Sequence, residues 1–158
     1  MTPDETDTLG MASTASSLAV SSAGVAALLL LLGGCATPAP MTASQGQALA
    51  CALPSNCVDT LGVGGLEPLK YRGSAEQALA RLEATLRTFP EAQVAHREAL
   101  ALRVIFTTPM GFRDQVDFLI DAGAESIDFR SRSLLGLFDF GKNRCRMQEF
   151  AQRFKVAG

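Results

Sequence analysis

The segment DFRSRSLLGLFDFGKNRCR, Asp128 to Arg146, sets four arginines and a lysine among serines, an asparagine and apolar residues. Planar guanidinium forks and hydroxyl donors at this density suit a phosphate or a carboxylate. Residues 130–158 hold seven basic and two acidic side chains, and Arg144 and Arg146 fall in the first turn of an expected helix, whose free amides attract anions. Arg130, Ser131, Ser133, Asp139, Asn143, Arg144 and Arg146 are therefore the candidate site for an anionic ligand: a lipid headgroup, a cell-wall acid or a partner's acidic segment. A plainer reading uses the same atoms. Arg130 and Arg132 would face out of a strand and pair with Asp117, Asp121 and Asp128, while Asp139 and Asn143, either side of Gly141, would serve a turn and a helix start.

Catalysis is less well provided for. The only histidine is His96, and no Ser, Cys or carboxylate motif marks a partner for it. Asp114, Asp117 and Asp121 are spaced so that two carboxylates could lie near each other, but spacing alone does not make an acid/base pair. A small envelope enzyme using these groups is the alternative to a binding or scaffolding module, and no residue is assigned as catalytic. Cys51 and Cys57 with one distant histidine do not make a zinc shell, so no metal or cofactor is expected. The glycine-rich LGVGGLEP lacks the Lys-Ser/Thr pair of a phosphate loop and reads as a turn. The near-balanced charge, formally -2, argues against a nucleic-acid partner.

The chain's charge pattern bears on its address. Asp4, Glu5 and Asp7 are followed by no charged residue until Asp59, and Lys70 is the first basic side chain. Leu18 to Gly34 is apolar or small, short and serine-broken for a spanning helix but suited to the apolar region of a secretory signal. LGGC, ending at Cys35, resembles the bacterial lipoprotein box, which implies cleavage after Gly34 and a diacylglyceryl group on the Cys35 thiol. The leader's three acids and missing Lys or Arg are unlike an ordinary signal, which leaves a retained N-terminal anchor and a merely apolar tail as other readings. The expected division is a lipoprotein-type signal over 1–34, a flexible linker over 35–50, and one α+β domain over 51–158. This places the protein in the cell envelope, membrane-anchored and facing the periplasm or the exterior. The uncharged Pro, Ala, Ser, Thr and Gly of the linker cannot bury enough surface to fold.

In an oxidising compartment Cys51 and Cys57 read first as a short-loop disulfide, beside free thiols as the alternative. Cys145 is then the odd cysteine, and at helical spacing it lies opposite Met147, Phe150 and Phe154, hence exposed or partly so.

Ser74 to Phe89 is the clearest element: Ser74 and Gln77 form a capping-box pair, Leu79, Leu82, Leu86 and Phe89 recur at helical spacing, Glu83 and Arg87 stand at i,i+4, and Pro90 ends it. Strands follow by period-two alternation: one around Ala92 to Arg97, one through Leu102, Val104 and Phe106, then Val116–Ile120 and Ile127–Ser131. Closing Ala122 to Glu125 as a hairpin sets Phe118 opposite Phe129, Ile120 opposite Ile127 and Asp117 opposite Arg130. PLKY, Pro68 to Tyr71, is a short candidate strand, and a second helix covers Asn143 to Lys155. Two helices with one apolar face each and a sheet with one apolar face make a two-layer α+β sandwich, a mainly antiparallel sheet of four to five strands with both helices on one face.

CALPSNCV, LEPLKYRGSAEQAL, FRDQVDFLID and IDFRSRSLLGLFDFGKNRCRMQEFAQRF together resemble the bacterial and plant family of unknown function DUF1499. The resemblance covers roughly Cys51 to Phe154. Its tail pattern falls here on Arg130, Ser131, Ser133, Gly136, Asp139, Gly141, Asn143, Arg144 and Arg146. The chain departs from it at Leu134, where an arginine is usual, at Gln115, where a second acid is usual, and at Cys145, where a basic residue is common. The resemblance implies a fold and an address more than an activity.

Overall fold

A computed structural model describes residues 48–157. The leader, Cys35 and the linker up to residue 47 lie outside the described residues. The first element is a 3-10 turn, Pro54–Asn56, inside the loop closed by the Cys51–Cys57 disulfide. Then come β1 (Cys57–Asp59), β2 (Leu69–Lys70), helix α1 (Ala75–Leu86), β3 (Ala92–Arg97), β4 (Ala101–Thr107), β5 (Arg113–Asp121), β6 (Ser126–Ser133) and helix α2 (Lys142–Val156).

The strands form one antiparallel sheet in the order β1-β6-β5-β4-β3, with β2 also paired to β6. The two-layer α+β architecture is as expected, with six strands in place of four or five. The additional strand is β1, whose three residues are all buried, so it shows none of the alternation by which a half-buried strand declares itself. The β5–β6 register is the one that pairs like apolar faces: Phe118 opposite Phe129, Ile120 opposite Ile127, Asp117 opposite Arg130.

α1 begins where its cap dictates. The Ser74 hydroxyl accepts from the Gln77 amide while the Gln77 side chain accepts from the Ser74 amide, a reciprocal arrangement that satisfies two otherwise orphan donors. The helix ends at Leu86, three residues short of the expected Phe89, because Thr88 and Phe89 turn back onto Thr85 and Leu86. Glu83 does not pair with Arg87 at i,i+4; its carboxylate accepts from Arg97 on β3 instead.

Leu79, Leu82, Leu86 and Phe89 meet Val104, Phe106, Val116 and Phe118 from the sheet and Met147, Phe150 and Phe154 from α2 in one core. Phe150 lies at its centre, with ring centroids 5.0 Å from Phe118 and 5.7 Å from Phe89. The other sheet face is polar, carrying Arg103, Gln115, Asp117 and Arg130, with Ile105 and Leu119 nearly buried among them. Leu49, placed by sequence in the flexible linker, is buried, so ordered packing begins before the expected boundary at Cys51. A lone leucine in an uncharged stretch carries no periodic signal from which that earlier edge could be read.

Candidate functional site

Strand alternation decides the fate of the arginine cluster. Successive side chains on a strand point to opposite faces, so Ser131 and Ser133 on β6 continue the inward row of Ile127 and Phe129, while Arg130 and Arg132 project to the outer face. Asp114 on β5 shares the inward row with Val116 and Phe118, whereas Asp117 points out beside Arg130 and Arg103. The seven candidate residues therefore do not converge as one basic face.

On the helix side they build a buried polar network. Arg146 donates to the Asp114 carboxylate at 2.6 Å, with both side chains almost fully buried. It donates also to the Asn143 amide oxygen at 3.0 Å and stacks its guanidinium over Phe106 at 4.8 Å. The Ser131 hydroxyl donates to the same Asn143 oxygen, and the Ser133 hydroxyl to Asp114. The Asn143 amide nitrogen donates to Asp139 at 2.8 Å, to the Ser133 hydroxyl oxygen and to the Asn56 carbonyl. Asn143 is fully buried with its side-chain oxygen and nitrogen both bonded, as a group without access to water requires.

The anion-binding terminus expected at α2 already holds an anion. Gly141 at the N-cap has φ +77° and no side chain to offer, and the Asp139 carboxylate stands in: its oxygens accept from the Gly141 and Asn143 amides. A carboxylate at a helix N-terminus satisfies orphan amides and opposes the positive end of the dipole, so the seat is filled from within the chain. Arg144 is exposed and donates to the Gly64 carbonyl.

On the outer face Asp117 is clamped. It accepts from Arg103 at 2.7 Å, from Arg130 at 2.8 Å and from the Gln115 amide. Burial pushes its carboxyl upward, but the bonds from Arg103, Arg130 and Gln115 together outweigh burial and hold it below the ordinary carboxylate value. The Gln115 amide is the third donor to that carboxylate.

The carboxylates proposed for catalysis are separated. Asp114 is ion-paired on the inner face, Asp117 is on the outer face, and Asp121 caps the β5–β6 turn by accepting from the Gly123 and Ala124 amides. His96 on β3 is exposed, its Nε2 2.7 Å from Glu98. His96 and Asp117 do line one outer-face depression of about 230 Å³ with Leu49, Arg103 and Arg130. No serine or cysteine lines it, and a carboxylate that already accepts hydrogen bonds from three side chains is a poor proton acceptor.

A larger cavity lies at the other end of the polar network. A cleft of about 690 Å³ has Met110 and Phe112 from the β4–β5 turn on one wall and Leu135, Phe138 and Phe140 from the β6–α2 loop on the other. Asp114, Ser133 and Asp139 form its floor, with Lys142 and Cys145 at the rim. Apolar walls over a few fixed polar groups are the usual composition of a binding cleft. The disulfide loop holds the β6–α2 loop in place: Ser55 donates to the Leu137 carbonyl, Asn56 donates to the Gly136 carbonyl, and the Asp139 amide donates to the Ser55 carbonyl.

Asn56, Asp59 and the cleft walls join the site only in the folded chain. Asp59 is buried and accepts from the Cys51, Leu61 and Val63 amides. Its signal was present, an aspartate opening a glycine-rich stretch, which is the setting of an Asx turn. No group of side chains among the described residues is arranged to hold a metal ion. No curated protein matches the chain. A family model, described as a protein of unknown function (DUF1499), matches residues 44–154. That span takes in the disulfide loop, the whole sheet and the buried Asp114–Asn143–Arg146 network, and the chain belongs to the DUF1499 family.

Proposed function

We propose that the protein is a cell-envelope lipoprotein, anchored through an acylated Cys35, whose α+β domain is a non-catalytic binding module that uses the cleft between the β4–β5 turn and the β6–α2 loop. The observation that supports the cleft is the buried polar network under it. Ser131, Ser133, Asp139, Asn143 and Arg146 bond to one another and to Asp114 directly beneath it. A polar network of this kind is costly to bury unless fully satisfied, and here it stiffens the support of two apolar loops. The ligand or partner accordingly carries an apolar part for the cleft walls and an acidic group for the exposed Lys142 at its rim. Arg130 and Arg146 are committed to Asp117 and Asp114 and serve as positioning groups.

Intact-mass analysis of the membrane fraction tests the address. The expected species has lost residues 1–34, carries a diacylglyceryl group at Cys35 and has two thiols oxidised. A full-length, unacylated chain with reduced thiols in the soluble fraction overturns it. The cleft is tested with the dye anilinonaphthalene sulfonate, an anionic apolar probe. Its fluorescence with the protein should fall on Phe138→Gln with Leu135→Gln while the unfolding midpoint stays in place; unchanged fluorescence rejects the cleft.

A further inference from the structure

The two loops that wall the cleft expose more apolar surface than a ligand cleft requires. Phe140 is 99% exposed, Met110 81%, Leu135 72%, Leu137 68% and Phe138 67%. They rise together from one end of the sheet, joined where the Leu134 amide donates to the Arg113 carbonyl. Large apolar side chains exposed together on neighbouring loops of a folded domain mark an interaction surface. Phe140 adds an independent sign. Its φ is +52°, a left-handed conformation that glycine or asparagine adopts at less cost. A bulky aromatic held there, wholly in solvent, is strain without a packing return inside the fold, and such outliers point to function.

We propose that this end of the domain docks on an anionic lipid bilayer, with Phe138, Phe140 and Met110 entering the headgroup region. The charges beside the patch favour that occupant. Arg113 and Lys142 are exposed there, whereas the neighbouring acids are withdrawn, Asp114 into its ion pair with Arg146 and Asp139 onto the α2 amides. Aromatic and aliphatic tips flanked by basic side chains, with the nearby acids engaged, match the demands of a negatively charged membrane surface. The proposed anchor at Cys35 lies thirteen positions before Ala48, a segment able to span at most about 45 Å. The proposal rests on the cleft end being the binding surface and names its partner; it needs the anchor only to keep the bilayer near.

The chain contains no tryptophan, so Phe140→Trp in the otherwise intact protein gives a single fluorescent reporter. Ala124→Trp, in the exposed β5–β6 turn at the opposite end of the sheet, is the control. Each variant is reconstituted into vesicles of phosphatidylcholine and phosphatidylglycerol containing brominated phosphatidylcholine. The expected result is a blue-shifted emission from the indole at position 140, most of it quenched by the bromolipid. The indole at position 124 should stay open to aqueous acrylamide and unquenched by lipid. Adding Lys142→Glu to the Phe140→Trp variant should reduce the bromolipid quenching, as should omission of phosphatidylglycerol. Emission from position 140 that stays unshifted and fully open to acrylamide on vesicles overturns the proposal. So does a shift that appears without lipid as protein concentration rises, which would assign the patch to a second copy, or one produced only by envelope proteins. The mass of the Cys35 peptide reports the anchor separately, and an unacylated chain added to the same vesicles still reads whether the position-140 reporter enters lipid.

Discussion

Asp114 and Arg146 place opposite charges 2.6 Å apart beneath the first turns of α2, each nearly inaccessible to water. Removing one member leaves the other charge buried without its counter-charge, which costs far more than the pair contributes net. Arg146→Gln or Asp114→Asn should lower stability by about 3–5 kcal/mol. The double variant should lose clearly less than the sum, as residues in one network do. Urea unfolding of the three proteins checks this, and additive losses would show that the two act independently. Asp117 is the outer-face counterpart and makes a prediction about pH. Its carboxyl is held below the ordinary value in the folded state, so its contribution is present above the unfolded-state value and is lost as pH falls through the folded one. Asp117→Asn should therefore weaken the protein at neutral pH and flatten the acid limb of its stability curve. Urea midpoints across the acid range read both effects, and an acid limb as steep as in the unmodified protein would assign the pH dependence elsewhere.

Between elements, short loops carry constraints out of proportion to their length. Gly64, in the turn after β1, has φ +95°, and a Cβ there would stand 2.7 Å from Cγ1 of Val58. Val58 is a β-branched residue buried in β1 against the sheet, so it has little freedom to move aside. Gly64→Ala meets both a strained backbone and a clash, and should cost more than about 1 kcal/mol. The displaced turn would also loosen the Asp59 acceptor for the Leu61 and Val63 amides. Thermal unfolding measures the loss, and amide exchange at Leu61 and Val63 should accelerate with it; an unchanged midpoint would mean that Val58 gives way. α2 shows the same economy at its start, where Asp139 two residues upstream replaces the cap that Gly141 cannot supply.

At the scale of the whole molecule, the Cys51–Cys57 bridge connects the entry of the chain to the cleft. It closes a loop with a sequence separation of 6, and short-loop closure stabilises by about 2 kcal/mol through the unfolded state. Reduction should lower the unfolding free energy by that amount. Because Ser55 and Asn56 within the loop hold the carbonyls of Leu137 and Gly136, it should also speed amide exchange at Asp139. Hydrogen exchange under oxidising and reducing conditions checks the coupling, and equal exchange at Asp139 in both would show that the bridge and the cleft wall are independent.

Much of this architecture was legible in the chain. The capping box at Ser74, the β5–β6 register and the two amphipathic helices follow from local periodicity and cross-strand pairing, which are properties of neighbours in sequence. Cys145, on the face of α2 opposite Phe150, is exposed for the same reason. What lay beyond reach was the meeting of distant segments. Nothing local indicates that Asp114 closes on Arg146 across 32 positions, that Asn56 reaches Gly136 across 80, or that Glu83 prefers Arg97 to Arg87. The arginine cluster is the clearest case. Read along the chain, Asp128 to Arg146 is a concentration of positive charge; folded, the pleat of β6 sends Arg130 outward and Ser131 inward, and the first turns of α2 carry Arg146 down onto Asp114. Composition determined which groups were available, and period-two geometry with long-range packing decided which of them face water, because a side chain's direction is set locally but its partner is set by the fold.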